Sequence, residues 1–259
     1  MSRPIGVFDS GLGGLTVLKS LVQSFPSENF IYLGDTARLP YGSKSPKTIY
    51  NYLYQNINYL RKFDIKGAIV ACNSASSVLR PEEFKDLPVV GVIEAGTKAA
   101  LNATQNKRIG VIGTRATIGF GAYQDLLKQL DDQIEIFAQA CPLFVPLVEE
   151  GLTHDPLTNL ICFRYLKNLV DQQIDTLILG CTHYPLLKPA MARVLGPNIQ
   201  MIDSADAIAE LVGEGWSLSR QTGEGSVQVL CTDTTDHFKQ MAGLILDTIK
   251  IDEFEKVDL

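Results

Sequence analysis

The amino-acid sequence predicts an α/β fold with two pseudo-symmetric domains, each built on a parallel β-sheet, and an active site in the cleft between them. Short apolar, β-branched runs alternate with longer amphipathic stretches, which is typical of parallel sheets covered by helices. The strand-like runs lack apolar/polar alternation, as expected for strands buried on both faces. Two strand–turn motifs also recur, which indicates a duplicated unit.

The elements follow one another along the chain in strand–helix order. The apolar runs predict strands at Pro4–Phe8, Asn29–Gly34, Gly67–Ala71, Pro88–Val92, Arg108–Ile112, Ile134–Ala138, Thr176–Leu179, Ile199–Ile202 and Ser226–Leu230. The amphipathic stretches predict helices at Gly13–Ser24, Pro46–Lys62, Glu94–Asn102, Thr117–Leu130, Pro156–Gln172, Pro185–Val194, Ser204–Ser219 and Asp236–Lys250. Thr117 is expected to be the N-cap of its helix.

The recurring motifs place one cysteine in each half of the chain. The segment from Ile5, Ile-Gly-Val-Phe-Asp-Ser-Gly, resembles the segment from Ile109, Ile-Gly-Val-Ile-Gly-Thr-Arg. Cys72 and Cys181 each follow an apolar run and precede polar residues. Any α/β chain shows some such echoes, but two motifs at nearly the same offset favour a repeat. Ligands bind at the carboxyl ends of parallel strands, so a pseudo-two-fold axis would bring both cysteines to one cleft.

Composition and charge exclude several classes of protein. The chain is 46% hydrophobic and 20% charged, which excludes a disordered chain. A net charge of −6 disfavours a nucleic-acid partner. No signal peptide and no apolar run of 18 residues is found, so no membrane association is expected. Five cysteines without a CxxC pair predict a cytoplasmic protein with reduced thiols.

The two repeated cysteines are the strongest candidates for chemistry. A cysteine is most often a small buried hydrophobe, and we interpret Cys141, Cys162 and Cys231 in that way. Cys72 and Cys181 instead precede polar residues that open helices. A helix N-terminus lowers the pKa of a thiol, and a thiol that titrates near the working pH serves as an acid or a base.

Metal and phosphate chemistry are less well supported by the sequence. Cys181 and His183 offer two soft ligands, but no cluster supplies a third and fourth at zinc spacing, so no metal is expected. His154 and His237 stand alone and are expected to be exposed. Arg80 lies too far from Cys72 for a tight thiolate–phosphate loop.

A dinucleotide site is a second alternative. The glycine-rich turn after Asp9 opens a helix, and Asp35 ends the second strand where a ribose-binding carboxylate would stand. The charge of Asp9 and the replacement of the third glycine by Thr16 count against it. The Ser, Thr and Asn residues at the strand ends favour a small carboxylate ligand held without arginine.

Six motifs resemble those of the glutamate racemase family, in order and over nearly the whole chain. They are Asp9-Ser10-Gly-x-Gly-Gly, Asp35-Thr-Ala-x-x-Pro40-Tyr41-Gly42, Cys72-Asn73-Ser74-Ala75, Gly113-Thr114-x-x-Thr117, the Glu149 segment, and Cys181-Thr182-His183-Tyr184-Pro185. One departure is visible: Ser74 stands where family members commonly have threonine. Glu150 adjoins Glu149, so either carboxylate fits that motif.

The resemblance implies a cofactor-independent two-thiol racemase that interconverts L- and D-glutamate and supplies D-glutamate for peptidoglycan. It implies that Cys72 and Cys181 are the acid/base pair, assisted by Asp9, Glu149 and His183. It also implies substrate binding by Asp9, Ser10, Pro40, Tyr41, Gly42, Asn73, Ser74, Thr114, Thr117, Thr182 and His183. The first domain would take residues 1–95 and 207–259, and the second residues 96–206.

We expect a homodimer that uses no cofactor. Three rival functions remain. An aspartate racemase would carry related motifs, a binding module for an acidic amino acid would show no turnover, and a dehydrogenase would bind a nicotinamide.

Overall fold

The computed structural model describes residues 3–216, 218, 220, 221 and 223–259, and within them ten strands form two parallel sheets. The strands are β1 (Ile5–Asp9), β2 (Phe30–Gly34), β3 (Gly67–Val70), β4 (Val89–Gly91), β5 (Arg108–Gly113), β6 (Glu135–Ala140), β7 (Thr176–Gly180), β8 (Gln200–Asp203), β9 (Val227–Cys231) and β10 (Glu253–Lys256). The helices are α1 (Leu15–Ser24), α2 (Pro46–Leu60), α3 (Asn73–Ser76), α4 (Val92–Ala103), α5 (Arg115–Phe120), α6 (Ala122–Leu130), α7 (Phe144–Glu149), α8 (Pro156–Asp171), α9 (Lys188–Leu195), α10 (Ser204–Gly215) and α11 (Asp236–Leu246).

The two sheets contain the same four-strand unit. One sheet has the order β10-β9-β2-β1-β3-β4 and the other has the order β6-β5-β7-β8. The run β2-β1-β3-β4 therefore corresponds to β6-β5-β7-β8. The register matches as well, since Phe8 pairs with Val70 in the first unit and Ile112 pairs with Leu179 in the second. The predicted fold class, two pseudo-symmetric parallel-sheet units, is confirmed.

Helices cover both faces of each sheet, which explains why the strands are apolar on both faces. In the six-stranded sheet, α1, α10 and α11 bury their apolar residues on one face, and α2 packs on the other. In the four-stranded sheet, α7, α8 and α9 cover one face, and α4 and α6 cover the other. Each buried Leu, Ile or Val contributes roughly 1.5–3 kcal/mol. Among the described residues, no helix has the length and apolarity needed to cross a bilayer.

Three helix predictions need correction. The stretch Thr117–Leu130 forms two helices, because Gly121 adopts a left-handed φ of 76° that ends α5 and begins α6. The stretch Asp236–Lys250 ends at Leu246, before Asp247 at φ 54°. The stretch from Ser204 is helical to Gly215, and its predicted end, Ser219, lies outside the described residues.

Three elements were not predicted: the short helices α3 and α7 and the edge strand β10. The two helices contain six residues or fewer, which is too short to show a clear helical period, and β10 (Glu-Phe-Glu-Lys) is charged and lacks an apolar run. The predicted domain boundaries remain a prediction.

Candidate active site

The two repeated cysteines open into one cavity of about 190 Å³ between the two sheets, here called the cysteine cavity. Most of the site residues predicted from the sequence line this cavity: Ser10, Pro40, Tyr41, Gly42, Cys72, Asn73, Ser74, Thr114, Glu149, Cys181, Thr182 and His183. Its other lining residues are Gly11, Leu39, Ser43, Arg115, Pro142, Val145 and Pro146. Sites for drug-sized ligands measure roughly 300–1,000 Å³, so this volume suits a ligand the size of an amino acid.

Cys72 lies between β3 and α3, where it is the N-cap residue of the helix. Its Sγ contacts the hydroxyl of Ser10 at 3.7 Å. Burial raises the pKa of Cys72 to about 12, and the nearby negative charge of Asp9 adds to the increase. The sequence-based expectation of a lowered pKa is therefore wrong for this thiol. α3 contains only four residues, and the cost of burying a charge outweighs its weak helix dipole.

Cys181 follows β7 and has a cationic neighbour instead. Its Sγ lies 3.8 Å from Nδ1 of His183, whose Nε2 lies 3.1 Å from Oε1 of Glu149. Burial lowers the pKa of His183, but the hydrogen bonds and charges of Cys181 and Glu149 outweigh it and raise the pKa to about 10. Near neutral pH the imidazolium therefore donates to both partners. Glu149 is the carboxylate paired with His183 and lines the cysteine cavity, whereas Glu150 lines only a neighbouring cavity, which Glu149 also borders.

Asp9 lies behind the cavity lining, at the end of β1. Its Oδ2 accepts hydrogen bonds from the backbone N–H groups of Gly11 (2.9 Å) and Gly14 (3.0 Å), and its Oδ1 accepts one from Thr182 Oγ1 (3.3 Å). Burial raises the pKa of Asp9, and the charge of His183 and these hydrogen bonds partly oppose the increase. Through the hydrogen bond from Thr182, Asp9 links the six-stranded unit to the residue that follows Cys181 in the four-stranded unit.

The side chains of Thr182 and His183 pack so closely against the backbone at position 13 that a glycine is required there. A Cβ at Gly13 would lie 2.4 Å from both Nδ1 of His183 and Oγ1 of Thr182. Any side chain there would displace the residues beside Cys181. The glycine-rich turn therefore serves close packing between the two units.

Ser74, Thr114 and Thr117 form a cluster of hydroxyl groups, here called the hydroxyl cluster. Ser74 Oγ lies 2.9 Å from Thr114 Oγ1 and 3.2 Å from Thr117 Oγ1, and the two threonine hydroxyls lie 3.1 Å apart. Thr114, rather than the predicted Thr117, is the N-cap of α5, since it accepts a hydrogen bond from the Thr117 N–H. Ser74 and Thr114 line the cavity and Thr117 lies behind them.

The segment from Leu39 to Ser43 forms another wall, which is anchored from behind. Tyr41 donates its hydroxyl to Asp35, so its polar end is directed away from the cavity. Asp35 also accepts hydrogen bonds from Arg38 Nε at 2.6 Å and Thr232 Oγ1 at 3.0 Å. Since Asp35 is buried among these partners, it has no surface to offer a ribose. The dinucleotide interpretation of Asp35 is therefore wrong.

The remaining cysteines and histidines lie outside the cavity lining. Cys141, Cys162 and Cys231 are buried in hydrophobic clusters, as the sequence predicts. His237 is exposed but does not stand alone: its Nε2 donates to the carbonyl oxygen of Glu149 at 2.5 Å. Among the described residues, no group of three or more His, Cys, Asp or Glu side chains is arranged to hold a metal ion.

Sequence reasoning missed the apolar wall made by Pro142, Val145 and Pro146. Proline and valine carry no signal of a ligand contact, and the helix that presents two of them was not predicted. Arg115 also lines the cavity, with an exposed side chain next to Thr114. Its place beside a predicted strand-end threonine was the signal that could have found it.

Comparisons with known proteins agree with these motifs. A family model described as Asp/Glu/hydantoin racemase matches residues 5–212. A glutamate racemase of Chlorobaculum tepidum is 44% identical over 252 residues, covering 95% of this chain and 93% of that protein. One from Sulfurihydrogenibium is 44% identical over 259 residues, covering 99% and 98%. A glutamate racemase structure from Francisella tularensis, solved with D-glutamate, has a TM-score of 0.90 at 36% identity and covers 99% and 97%.

Proposed function

The chain belongs to the Asp/Glu/hydantoin racemase family, and we propose that it interconverts L- and D-glutamate by moving the Cα proton between two thiols. The observation that carries this proposal is the placement of Cys72 and Cys181. They follow register-matched strands and line the same cavity. Racemisation needs a base on one face of Cα and an acid on the other, because a single residue tends to return the proton to the face it came from.

Substrate binding is proposed to rest on neutral donors. Glutamate carries two carboxylates, and Ser10, Asn73, Ser74 and Thr114 supply uncharged hydrogen-bonding groups around the cavity, which Thr182 also lines. Pro40, Tyr41 and Gly42 contribute the wall segment. A Cβ at Gly42 would lie 2.6 Å from Thr114 Cβ, so a glycine is needed where this wall meets the hydroxyl cluster.

In the L-to-D direction we assign the base to Cys181. Its thiolate takes the Cα proton of L-glutamate: the Cα–H bond breaks, an S–H bond forms, and the electron pair stays on Cα. The thiol of Cys72 then gives its proton to the opposite face, which leaves Cys72 as thiolate and Cys181 as thiol. The D-to-L direction runs the same steps in reverse. A water-poor cavity strengthens the donors that stabilise the carbanionic transition state.

The assisting groups suit these protonation states. The His183 imidazolium donates toward Cys181 Sγ and stabilises negative charge there, and Glu149 holds the imidazole ring. Burial, with the nearby charge of Asp9 adding to it, raises the pKa of Cys72 and keeps that thiol protonated, which suits an acid for the second face. We propose that Asp9 and the His183–Glu149 pair assist proton transfer in addition to any contact that they make with the substrate.

The wider role follows from the family resemblance. We propose that the D-glutamate supplies peptidoglycan synthesis, that the protein acts in the cytoplasm and that it forms a homodimer. Its five free cysteines support a reducing location.

We also propose that the two domains comprise residues 1–95 plus 207–259 and residues 96–206, a division that the membership of the two sheets supports.

The test is turnover by purified protein without added cofactor. L- and D-glutamate should each lose their circular dichroism signal to zero, and deuterium from the solvent should appear at Cα. Aspartate should turn over far more slowly. A requirement for pyridoxal phosphate, full loss of activity in a chelator, faster turnover of aspartate, or binding of glutamate without exchange would each contradict the proposal.

A further inference from the structure

A tyrosine from the four-stranded unit reaches the residue that follows Cys72. Tyr123 lies in α6 and is fully buried, and its hydroxyl donates to Oδ1 of Asn73 at 2.8 Å. Asn73 begins α3 and lines the cysteine cavity. Tyr123 itself does not belong to that lining, so any effect on a ligand must pass through Asn73.

The hydrogen bond decides which end of the Asn73 amide is free. A side-chain amide has an oxygen that accepts and a nitrogen that donates two hydrogens, and a half-turn exchanges the two ends. With Oδ1 taken by Tyr123, Nδ2 lies 3.4 Å from Ser204 Oγ and directs one hydrogen to it. The second N–H is left for a partner in the cavity. If the amide were turned, the cavity would meet an oxygen, which repels a carboxylate.

The surroundings of Tyr123 keep its hydroxyl protonated and hold it next to Asn73, so that it remains a hydrogen-bond donor. Burial raises the pKa of Tyr123, so the phenol stays protonated at neutral pH. Gly96 of α4 leaves room for it, since a Cβ there would lie 3.1 Å from the hydroxyl oxygen. The hydroxyl is therefore held between α4 and Asn73.

We propose that Tyr123 is a positioning residue, which fixes the Asn73 amide so that an N–H donor faces a substrate carboxylate. This inference rests on the proposed function, because it takes glutamate as the ligand. A carboxylate is present in both the ground state and the transition state, so the loss should appear in KM more than in kcat. Both enantiomers carry the same carboxylates, so both KM values should rise.

The experiment compares Tyr123→Phe, Asn73→Ala and the double variant. Tyr123→Phe should raise KM for L- and D-glutamate about 3- to 10-fold, the range for one hydrogen bond, with kcat changed less than about twofold. In the Asn73→Ala background the same substitution should change KM no further, since coupled residues are not additive. Thr176→Val is the matched control: it removes a part-buried hydrogen bond from a threonine hydroxyl to Asp175 at the amino end of β7. It should leave KM unchanged.

A ligand-free measurement separates this inference from the proposed function. The side-chain amide signals of Asn73, assigned from their loss in Asn73→Ala, should shift and exchange faster with solvent in Tyr123→Phe. Wild-type protein without glutamate turnover would contradict the proposed function alone. Unchanged Asn73 signals, or an equal rise in KM from Tyr123→Phe with and without Asn73, would overturn the positioning role whatever the enzyme turns over.

Discussion

Cys72 and Cys181 occupy equivalent positions in two copies of one strand unit, yet their neighbours carry opposite charges. The Cys72 thiol faces a serine hydroxyl and lies near the Asp9 carboxylate. Cys181 faces His183, which Glu149 supports. The backbone therefore conserves the symmetry that two-face chemistry needs, while the side chains around each sulfur break it.

This difference makes the two sides of the cavity unequal in charge. Burial and the nearby Asp9 charge raise the pKa of Cys72 to about 12, so this thiol stays protonated at neutral pH, while the pKa of about 10 keeps His183 beside Cys181 cationic. In the proposed mechanism, this arrangement suits abstraction of a proton from L-glutamate. Turnover of D-glutamate needs the opposite arrangement. The following predictions test how far the two halves differ.

The largest effect should come from replacing either sulfur. Cys72→Ser and Cys181→Ser should each reduce racemisation by about 10²–10⁴-fold, the usual contribution of a positioned acid or base. Serine has a far higher pKa than a thiol, so only the mutated face fails. With a glutamate analogue that eliminates a leaving group after deprotonation, Cys72→Ser should still process the L form and Cys181→Ser the D form.

The double Cys→Ser variant is the control for that experiment and should process neither form. Equal residual elimination of both enantiomers by both single variants would mean that one base, such as His183, serves both faces. The comparison between the halves would then fail.

The second-largest effect on activity should come from removing the hydrogen bond between Thr182 and Asp9, which links the two halves. Thr182→Ala removes the hydroxyl that donates to Asp9 and lines the cavity, and should cost about 1–3 kcal/mol in kcat/KM, the range for a hydrogen bond that involves a charged group. Arg115→Ala is the matched test of an exposed cation in the same lining. A larger loss for Arg115→Ala than for Thr182→Ala would contradict binding by neutral donors.

A smaller and one-sided effect is expected from Glu149→Gln. Without the carboxylate charge, the pKa of His183 falls from about 10, so the imidazolium loses its proton at lower pH. The alkaline limb of the pH profile for L-glutamate should therefore shift to lower pH, with kcat/KM reduced roughly tenfold near neutral pH. An unshifted alkaline limb, measured alongside Glu150→Gln as the neighbouring control, would show that Glu149 does not act through His183.

The smallest effect on activity is expected from substitutions of Ser74, which joins Thr114 and Thr117 of the other half in the hydroxyl cluster. Ser74→Thr keeps the hydroxyl and adds the methyl group common in the family, so kcat/KM should change less than about threefold. Ser74→Ala removes the hydroxyl and should reduce kcat/KM about 2- to 10-fold. If Ser74→Thr were as damaging as Ser74→Ala, packing and not hydrogen bonding would govern this position.

The sequence predicts the fold further than it predicts the site. Continuous apolar, β-branched runs such as Arg108–Ile112, set between amphipathic stretches, are enough to place a strand, and the two cysteine motifs place the cavity. Charges that meet only in three dimensions are not visible in this way. The sequence placed both thiols at helix N-termini and so predicted lowered pKa values, whereas burial and Asp9 raise that of Cys72. The role of Tyr123 was likewise hidden, because its partner lies 50 residues away.

The position of β9 next to β2 has a consequence for the order in which the chain folds. All four strands of the smaller sheet lie between residues 108 and 203, so it can assemble while synthesis continues. The larger sheet waits for residues 227–256, because β9 and β10 complete it and Thr232 anchors Asp35 behind the cavity wall. Domains fold as units during synthesis, and pairings distant in sequence form slowly. The half of the molecule that begins first is therefore completed last, and the hydrogen bond from Thr232 to Asp35 behind the wall near Tyr41 forms only after β9 has been made.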